Sequence, residues 1–596
     1  MCGIVGYVGN EQARDILISA LKRLEYRGYD SAGIAVVGKA LQVHKSVGNI
    51  AKLIENIPEL KGTRGIAHTR WATHGAPSTK NAHPFLDCKG NIALAHNGII
   101  ENYEELKREL VAKGHNFTSD TDTEVIVHLI ESLYDGNLEK AVRAALKRIR
   151  GSYAIVVTHK DENKIVGARH ESPMVIGLSQ KANYLASDVP ALLKYTNRVI
   201  YLDDGELVVI DPTSVKVTNF DGKPVKKEEH RIEWTLEDAE KGGYAHFMLK
   251  EIHEQPKAIL DTLIGRIPDL NLGLNNVSKD ITKVHLIACG TAYHAAMVGK
   301  YMIERLANLP STAHIASEFR FSPSVDPGTL AIVISQSGET LDSLMAMREA
   351  KRLGCRTIAV CNVTGSTLTR EADFTFMTRA GPEIGVAASK TFSTQLVALL
   401  LIATYLGRER GVLDPEEVRH LITDMRQLPR QVQTVLDNSG AIKLTSEWIS
   451  NARDVFFIGR NLNYPIALEG ALKLKEISYI HAEGYPAGEL KHGPIALFTK
   501  ETPVIACAVK DLTYDKILGN IRESSARGTP VIAVGFEGDM DLQRYADIVL
   551  QIPKVHEIFA PILISVVFQL MAYYVALAKG REIDMPRNLA KSVTVE

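Results

Sequence analysis

The hydrophobic and polar positions of the chain follow two different patterns along its length. Up to about residue 220, short apolar runs separated by turn-forming residues predict a domain rich in β-strands and covered by a few helices. Residues 11–24 predict one of these helices, because apolar side chains from Ile16 to Leu24 recur on one face. The runs at 154–158 and 165–168 flank a polar turn, so they predict a β-hairpin.

From residue 280 onwards the chain alternates strands with helices, and this alternation occurs twice. Each copy gives strand, loop, helix and strand at matching spacings. The predicted strands lie at 284–288, 331–334 and 357–360, and again at 455–458, 504–507 and 531–534. The pattern is typical of doubly wound parallel sheets, in which ligands bind beyond the carboxyl ends of the strands. We therefore predict two such domains in tandem.

The composition excludes several classes of function. The 596 residues are 45% hydrophobic and 23% charged, as in an ordinary globular protein, and the net charge of -1 gives no electrostatic case for binding nucleic acid or a membrane surface. The six cysteines contain no C-x-x-C pair, which favours free thiols in a reducing cytosol and argues against a disulfide framework or a zinc ribbon. The uncharged run 560–578 is long enough to span a membrane, but it stands alone and contains polar residues, so we predict a buried core helix.

The N-terminus carries the first candidate nucleophile. Once Met1 is removed, Cys2 bears both a thiol and a free α-amine, groups whose unperturbed pKa values are about 8.5 and about 8. The amine can then accept the proton of the thiol, directly or through one water, and leave a reactive thiolate. A second interpretation treats Cys2 as a small hydrophobic residue that starts a strand.

Two further segments of the first domain have open interpretations. Arg70 lies in a loop after a short apolar strand, where its guanidinium suits either a carboxylate ligand or a surface ion pair. A second predicted strand breaks at Asn97-Gly98, which favours either an oxyanion hole or a hairpin turn.

The segment 121–124 predicts the start of a helix. Thr121 would be the N-cap and Glu124 the third helical residue of a capping box. Asp122 would then lie in the first helical turn, where its carboxylate is free to meet a cationic amine.

The loop 335–340 in the first copy of the repeat reads Ser-Gln-Ser-Gly-Glu-Thr and leads into a predicted helix. Its hydroxyls, its glycine and the helix N-terminus predict a phosphate site, and a serine-rich turn with an N-cap is the alternative. The second copy reads Ala-Val-Lys-Asp at 508–511 and lacks the hydroxyls. We therefore expect phosphate to bind in the first copy only.

The second copy carries charged residues of a different kind. A helix predicted at 467–477 bears Glu469, Lys473 and Glu476 on neighbouring turns, and His492 follows it. A carboxylate and a histidine near a phosphosugar would supply acid–base chemistry, although by spacing alone such charges are typical of a solvated helix face. Lys591 lies in a tail that has the same solvated alternative.

Together these segments resemble the bacterial glutamine–fructose-6-phosphate aminotransferase (isomerising) family from end to end. The residues that carry the resemblance are Cys2-Gly3-Ile4-Val5-Gly6-Tyr7, the segments 69–75, 96–98, 335–340 and 489–494, and the tail 586–596. The resemblance implies an α/β protein in which an N-terminal-nucleophile αββα sandwich precedes two doubly wound sugar-isomerase (SIS) domains. The expected divisions are a glutaminase domain at 1–220, a linker at 221–240, SIS domains at 241–425 and 426–585, and a tail at 586–596.

For the first domain the resemblance implies a site that hydrolyses glutamine. Cys2 would attack the side-chain amide with its own α-amine as the base, and Asn97 and Gly98 would hold the oxyanion. The other expected glutamine-site residues are Arg70 for the α-carboxylate, Asp122 for the α-amine, Trp71 as a gate for ammonia, and His74.

For the SIS domains the resemblance implies conversion of fructose 6-phosphate to glucosamine 6-phosphate. Lys591 would form an imine with the sugar, Glu476 would shift a proton, and His492 from a neighbouring subunit would open the ring. The other expected sugar-site residues are Ser335, Gln336, Ser337 and Thr340 for the phosphate, with Thr291 and Lys473 beside them. The resemblance further implies a cytoplasmic homodimer that uses no metal or cofactor and binds neither nucleic acid nor membrane.

Two positions depart from the family pattern. Ala292 and Ala388 stand where the family often has serine, and the lost hydroxyls would weaken sugar binding unless Thr291 and Ser389 substitute for them. Three rival interpretations are an amidophosphoribosyltransferase or asparagine synthetase, a sugar-phosphate sensor, and a deglycase or deaminase. The duplicated isomerase half argues against the first, and the near-neutral charge argues against a DNA-binding sensor. The third would not need Cys2.

Overall fold

The computed structural model describes residues 2–72, 74–232, 234–235, 237–267, 269–274, 277 and 280–594. Met1, whose removal the sequence analysis expects, lies outside the described residues, as do Thr73 and the last two residues of the tail. The chain divides into two compact units, Met1–Glu240 together with Ala590–Glu596, and Lys241–Leu589.

In its described residues, the first unit has two antiparallel sheets and five α-helices. Its strands are β1 (Gly3–Gly9), β2 (Ser31–Val37), β3 (Leu41–Val47), β4 (Arg64–Arg70), β5 (Phe85–Leu86), β6 (Ile92–Ile100), β7 (Gly151–His159), β8 (Ile165–His170), β9 (Val175–Leu178), β10 (Ala182–Ala186), β11 (Arg198–Tyr201), β12 (Glu206–Ile210), β13 (Val215–Asn219) and β14 (His230–Arg231). Its helices are α1 (Ala13–Lys22), α2 (Ile50–Glu55), α3 (Tyr103–Ala112), α4 (Glu124–Leu133) and α5 (Leu138–Leu146). The strand orders are β14-β11-β9-β10-β1-β4-β2-β3 in one sheet and β13-β12-β8-β7-β6-β5 in the other.

The two sheets pack face to face, with helices outside them. Ile4 and Ile66 of the eight-stranded sheet share a buried apolar cluster with Ala95 and Val156 of the six-stranded sheet. The other face of the six-stranded sheet packs on α3, α4 and α5, and α1 packs on β1 and β4. The expected αββα order of layers is therefore confirmed, and so are the helix expected at 11–24 and the hairpin of β7 and β8.

The part of the second unit that the structure describes contains two parallel five-stranded sheets. Its strands are β15 (Lys283–Ala288), β16 (Ser311–Ile315), β17 (Thr329–Ser335), β18 (Arg356–Cys361), β19 (Phe374–Met377), β20 (Asp454–Gly459), β21 (His481–Pro486), β22 (Val504–Cys507), β23 (Val531–Phe536) and β24 (Ile548–Ile552). Its helices are α6 (Phe247–His253), α7 (Gln255–Leu263), α8 (Gly290–Ala307), α9 (Ala316–Phe319), α10 (Leu341–Arg352), α11 (Thr367–Glu371), α12 (Lys390–Glu409), α13 (Pro415–Asp437), α14 (Gly440–Ile449), α15 (Tyr464–Ser478), α16 (Tyr514–Ser525), α17 (Met540–Tyr545) and α18 (Ala560–Ala578).

The strand order confirms that the unit is a structural repeat. The sheets run β16-β15-β17-β18-β19 and β21-β20-β22-β23-β24, so each copy has its first strand between its second and its third. In a doubly wound sheet the chain changes direction across the sheet at this point, and the crevice that binds ligands opens there. The loop 335–340 follows β17, so the fold places it at that crevice in the first copy.

Two long apolar helices lie in the interior of the second unit. The helical segments Lys390–Glu409 and Glu557–Ala578 are long and apolar enough to cross a membrane, but their apolar windows are 100% and 94% buried inside the protein. Both helices belong to one apolar cluster with α8 and α15. The prediction of a core helix at 560–578 is confirmed.

The prediction that the strand at 92–100 breaks at Asn97-Gly98 is wrong. β6 continues to Ile100, with Asn97 opposite Ala154 and Gly98 opposite Tyr153 of β7. Gly98 has a φ of 129°, and a Cβ on it would lie 2.0 Å from the carbonyl oxygen of Ser152. Glycine is therefore required here because β6 and β7 approach each other closely. The hairpin-turn interpretation is also wrong.

The predicted capping box is wrong as well. α4 begins at Glu124, three residues after Thr121, and the residue before it, Thr123, makes no side-chain cap. The Glu124 carboxylate instead accepts hydrogen bonds from the backbone N–H groups of Thr118 at 2.8 Å and Ser119 at 2.7 Å. Asp122 consequently lies in the loop before the helix, where it is buried.

The packing of α15 on α18 gives a test of the core. Phe568 of α18 is buried and meets Phe457 edge to face, with ring centroids 5.1 Å apart. Its removal in Phe568→Ala leaves a cavity, for which we expect a destabilisation of about 3–5 kcal/mol. Leu577→Ala on the same helix removes a side chain that is 46% exposed, so it should change stability by no more than about 0.5 kcal/mol. Calorimetric unfolding of the two variants measures the difference, and equal transition temperatures would contradict this packing.

Candidate active sites

Cys2 lies half-buried directly before β1. Because β1 pairs with β4 so that Gly3 lies opposite Thr69, Cys2 adjoins the loop after β4. Its Sγ accepts a hydrogen bond from the Trp71 backbone N–H at 3.3 Å, and Arg27 Nε donates to its carbonyl oxygen at 3.2 Å. Burial raises the pKa of the Cys2 thiol, and the Trp71 N–H and the nearby guanidinium groups offset this only in part. The thiol therefore needs a base before it can act as a nucleophile.

Asn97 lies beside Cys2 with a fixed side chain. Its Nδ2 donates to the Cys2 carbonyl oxygen at 2.9 Å, and its Oδ1 is 3.1 Å from His68 Nε2. The histidine contact orients the amide so that its N–H groups point towards Cys2. The structure thus brings Asn97, on β6 of the six-stranded sheet, into contact with Cys2 before β1 of the eight-stranded sheet, and Gly98 follows Asn97 on β6.

Arg70 ends β4 and has an unfilled donor. It is 3% exposed, so the surface ion pair considered above is wrong. One terminal nitrogen, NH2, donates to the carbonyl oxygens of His74 and Gly75, whereas the other, NH1, is buried with no hydrogen-bond partner among the described residues. Leaving a buried charged donor unpaired is costly, which favours an anionic ligand at this point.

Asp122 interacts electrostatically with Arg70. Burial lowers the pKa of Arg70, and the negative charges of Cys2 and Asp122 oppose this shift. One Asp122 oxygen, Oδ2, accepts a hydrogen bond from the Ile100 N–H at 2.8 Å, which fixes the carboxylate at the end of β6. A cationic and an anionic group beside one thiol suit the two charged ends of an amino acid.

Three buried histidines lie behind this pocket, and the sequence analysis singled out none of them for a role. His83 Nε2 and His96 Nδ1 both contact the Thr123 hydroxyl, at 3.1 and 2.9 Å, and the rings of His68 and His83 lie 4.0 Å apart. Burial lowers the pKa of all three, that of His68 to about 3. They are therefore neutral side chains that position Asn97 and the segment before α4.

The loop 335–340 follows β17 in the second unit and is held by its own hydroxyls. Ser335 Oγ accepts from the Gly338 N–H at 3.1 Å, and Ser337 Oγ accepts from the Glu339 N–H at 3.2 Å. Gly338 has a φ of 66°, and a Cβ there would lie 2.1 Å from Ser366 Oγ. Thr340 precedes α10 without making a side-chain cap, so the N-cap interpretation is wrong for that residue.

Of the three charged residues predicted on α15, Glu469 and Lys473 are buried and Glu476 is half-buried, so the solvated-face alternative is wrong. The exposed fractions of the Glu469, Lys473 and Glu476 side chains are 2%, 1% and 19%. Lys473 Nζ contacts Glu476 Oε2 and lies 3.6 Å from Glu469 Oε1. Burial alone would lower the pKa of Lys473, but these two carboxylates raise it, so the lysine stays an ammonium ion.

Glu469 also joins the two copies of the repeat. Thr291 Oγ1 of α8 donates to its Oε1 at 3.1 Å, and His294 Nδ1 lies 2.7 Å from its Oε2. The sequence analysis missed His294, which lies one helical turn after Thr291 and could have been found by that spacing. It also missed Glu383, which accepts from the N–H groups of Ser389 and Thr391 and helps to raise the pKa of Lys473.

The remaining predicted sugar-site residues lie in different surroundings. Gln336 is half-buried and its carbonyl accepts from the Asn362 N–H at 3.1 Å. His492 is exposed at the end of the 3₁₀ helix Ala487–His492. Lys591 is half-buried and belongs to the first unit. Next to Ala388, the buried Ser389 hydroxyl has no hydrogen-bond partner among the described residues, so it remains available to a ligand.

Comparisons with known proteins match both units. The glutamine amidotransferase domain family matches residues 68–194, and the SIS domain family matches 279–405 and 448–579. The glutamine–fructose-6-phosphate aminotransferase (isomerizing) of Thermus thermophilus is 53% identical over 604 residues, and that of Methanosarcina acetivorans is 52% identical over 618, each match covering 100% of both chains. Among solved structures, the C-terminal domain of the glucosamine-fructose-6-phosphate aminotransferase from Francisella tularensis is 40% identical with a TM-score of 0.56, and the match covers 58% of this chain and 100% of that one.

The buried histidines predict an acid-sensitive first unit. Folded His68, with a pKa of about 3, stays neutral at moderately acid pH, whereas in the unfolded chain it takes up a proton below its ordinary pKa of 6.5. The unfolded state then binds more protons, so stability falls as the pH decreases from about 6.5 towards about 3, by about 2 kcal/mol at about pH 5 for one such group.

The substitution His68→Gln tests this dependence, because glutamine keeps a donor near Asn97 and does not titrate. The loss of transition temperature between about pH 7.5 and about pH 5 should be smaller in this variant than in the unmodified protein. His420→Gln, which changes a histidine side chain that is 76% exposed, is the control and should leave the loss unchanged. An equal loss in all three proteins would contradict the assignment.

Proposed function

This chain belongs to the family of glutamine–fructose-6-phosphate aminotransferases (isomerizing), and from that membership we propose how its residues share the reaction. The reaction converts fructose 6-phosphate and glutamine to glucosamine 6-phosphate and glutamate. We assign glutamine hydrolysis to the first unit and the sugar chemistry to the second unit with the tail. The observation that carries the first assignment is the unpaired buried nitrogen of Arg70 in the pocket of Cys2 and Asp122.

In the first unit, Cys2 is the nucleophile. Its α-amine, exposed by removal of Met1, takes the thiol proton, and the thiolate attacks the side-chain amide carbon of glutamine. Asn97 and Gly98 stabilise the oxyanion through the free amide N–H and the backbone N–H. The amine returns the proton to the departing nitrogen, ammonia leaves, and water hydrolyses the thioester to glutamate.

The ends of the substrate give the pocket its specificity. The Arg70 guanidinium binds the α-carboxylate, and Asp122 binds the α-amine. His74 follows in the same loop, and its carbonyl already holds one nitrogen of Arg70. Trp71 contacts the Cys2 sulfur through its backbone, so movement of this loop on glutamine binding would move the indole, which we assign as the gate for ammonia on its way to the sugar.

In the second unit, the loop after β17 binds the sugar phosphate. Its position at the crevice of the first sheet, and the lack of hydroxyls at the corresponding loop of the second copy, support a single phosphate site. The residues assigned to the phosphate are Ser335, Gln336, Ser337 and Thr340. Thr291 lies on the same crevice at the start of α8.

Two lysines are candidates for the imine, and the charges favour Lys591. An imine needs a lysine that loses its proton, whereas Lys473 is held as an ammonium ion by Glu469 and Glu476. We assign Lys473 to charge stabilisation and Glu476 to proton transfer between the first and second carbons of the sugar. Four residues before Lys591 along the chain, Arg587 stacks on Tyr479 at 4.3 Å, and Tyr479 follows Glu476 by one turn.

The exposure of His492 supports a role in another subunit. We assign it to ring opening in the sugar site of a partner, within a cytoplasmic homodimer. We also propose the divisions at 220, 240, 425 and 585 as the domain limits of the chain.

The N-terminal mechanism predicts a processed enzyme. Intact-mass measurement of active protein should show the loss of one Met, because Cys2 must carry the free amine. Cys2→Ala should abolish product formation from glutamine while some turnover with a high concentration of ammonia continues. The ammonia assay is the internal control for folding, and full glutamine-dependent activity with Met1 retained would contradict the amine as base.

The imine assignment predicts a specific covalent product. Borohydride reduction in the presence of fructose 6-phosphate should attach the sugar to Lys591, which peptide mapping by mass spectrometry identifies. Lys591→Arg keeps the positive charge but forms no imine, so it should carry no label. Label on Lys473 in the unmodified enzyme would exchange the two assignments.

A further inference from the structure

A cluster of four metal-ligand side chains lies in the first unit. Cys88 is exposed in the turn between β5 and β6, and His115 is half-buried in the loop after α3. His128 and Glu131 lie one turn apart on α4, the histidine buried and the glutamate half-buried. One ligand atom from each residue lies within 4.8 Å of all the others.

The distances between the donor atoms fit a tetrahedral ion. Sγ of Cys88 is 3.8 Å from His115 Nδ1 and 3.6 Å from His128 Nδ1. Oε2 of Glu131 is 2.9 Å from His115 Nδ1 and 3.2 Å from His128 Nδ1. A tetrahedral zinc ion with ordinary bond lengths would separate sulfur from nitrogen by about 3.6 Å and nitrogen from oxygen by about 3.3 Å.

The surroundings support the ligand atoms in the way that metal sites require. The second nitrogen of His128, Nε2, is buried without a hydrogen bond among the described residues and lies 3.7 Å from Glu124 Oε1. A carboxylate behind a coordinating histidine orients the ring and selects the tautomer. The backbone N–H of Asn116 donates to the Cys88 sulfur at 3.5 Å, as it would to a thiolate ligand.

The charges also balance. A Cys88 thiolate and the Glu131 carboxylate carry two negative charges, and two neutral histidines add none. A divalent ion would neutralise these two negative charges. A thiolate, two imidazoles and a carboxylate form a donor set that suits zinc, and four protein ligands fill a structural site.

We propose that Cys88, His115, His128 and Glu131 bind one zinc ion that joins the β5–β6 turn and the loop after α3 to α4. This departs from the expectation, drawn from the family resemblance, that the chain uses no metal. The signal in the sequence is the pair His128 and Glu131 at helical spacing, with the cysteine and the first histidine far away along the chain.

Metal binding by the full-length protein tests the proposal. After dialysis against a chelator, added Zn²⁺ should bind at one equivalent per chain by elemental analysis. It should also raise the unfolding temperature of the first unit by several degrees. Added Co²⁺ should give the thiolate-to-metal charge-transfer band in the near ultraviolet. Binding well below one equivalent, or cobalt binding without that band, would overturn the proposal.

Three variants locate the site. Cys88→Ser should remove the cobalt band, and Cys2→Ala, which removes the other candidate thiol of this unit, should keep it. Glu124→Gln leaves all four ligands in place but weakens the contact behind His128, so it should lower the zinc affinity by about 10–100-fold. Unchanged zinc affinity in Cys88→Ser, or loss of the band in Cys2→Ala instead, would refute the assignment. Circular dichroism of each variant separates loss of metal from loss of fold.

Discussion

The antiparallel pairing of β1 with β4 determines the geometry of the first unit. It sets Gly3 opposite Thr69, and this register places the residue before β1 beside the residues after β4. The proposed nucleophile, which would use its own α-amine, cannot be fixed from both sides by the chain, so backbone pairing on one side must hold it. A slip of one residue would turn every side chain of β1 to the opposite face and separate Cys2 from the Trp71 N–H. The pocket therefore depends on strand register more than on any single side-chain contact.

The second unit uses a different constraint, which is the desolvation of charge. Lys473 and Glu469 are both almost fully buried, where an isolated charge would be unfavourable by several kcal/mol. They are tolerated because each has several partners, and Glu469 takes two of its partners from the other copy of the repeat. Removing one member would leave uncompensated charges in the interior. Glu469, which links the two copies through Thr291 and His294, thus also helps to keep Lys473 positive beside the proposed proton-transfer residue.

Much of this architecture could be predicted from local patterns. Periodic burial of apolar side chains, which is visible in a short stretch of sequence, predicts four features. These are the repeated strands, the first helix, the hairpin of β7 and β8, and the core helix α18. The predictions fail where contact with residues far away in the sequence determines the local structure. Asn97-Gly98 has the composition of a turn, but pairing with β7 keeps it in a strand. Glu469, Lys473 and Glu476 have the spacing of a solvated face, but Glu469 contacts α8 of the other copy and Lys473 is buried in contact with both glutamates.

The beginning of α4 shows why contacts with residues far away in the sequence cannot be predicted from local patterns. Three consecutive side chains there face three different neighbours: Asp122 binds the backbone of β6, Thr123 contacts two buried histidines, and Glu124 holds the loop before the helix. A capping box is a local solution to the unpaired N–H groups of a helix start, and here tertiary contacts replace it. Glu124 also lies behind His128, so the carboxylate that orders the proposed glutamine-binding segment is the one that orients the histidine of the proposed zinc site. The two sites share this residue, and a metal bound to α4 would stiffen the segment that carries Asp122.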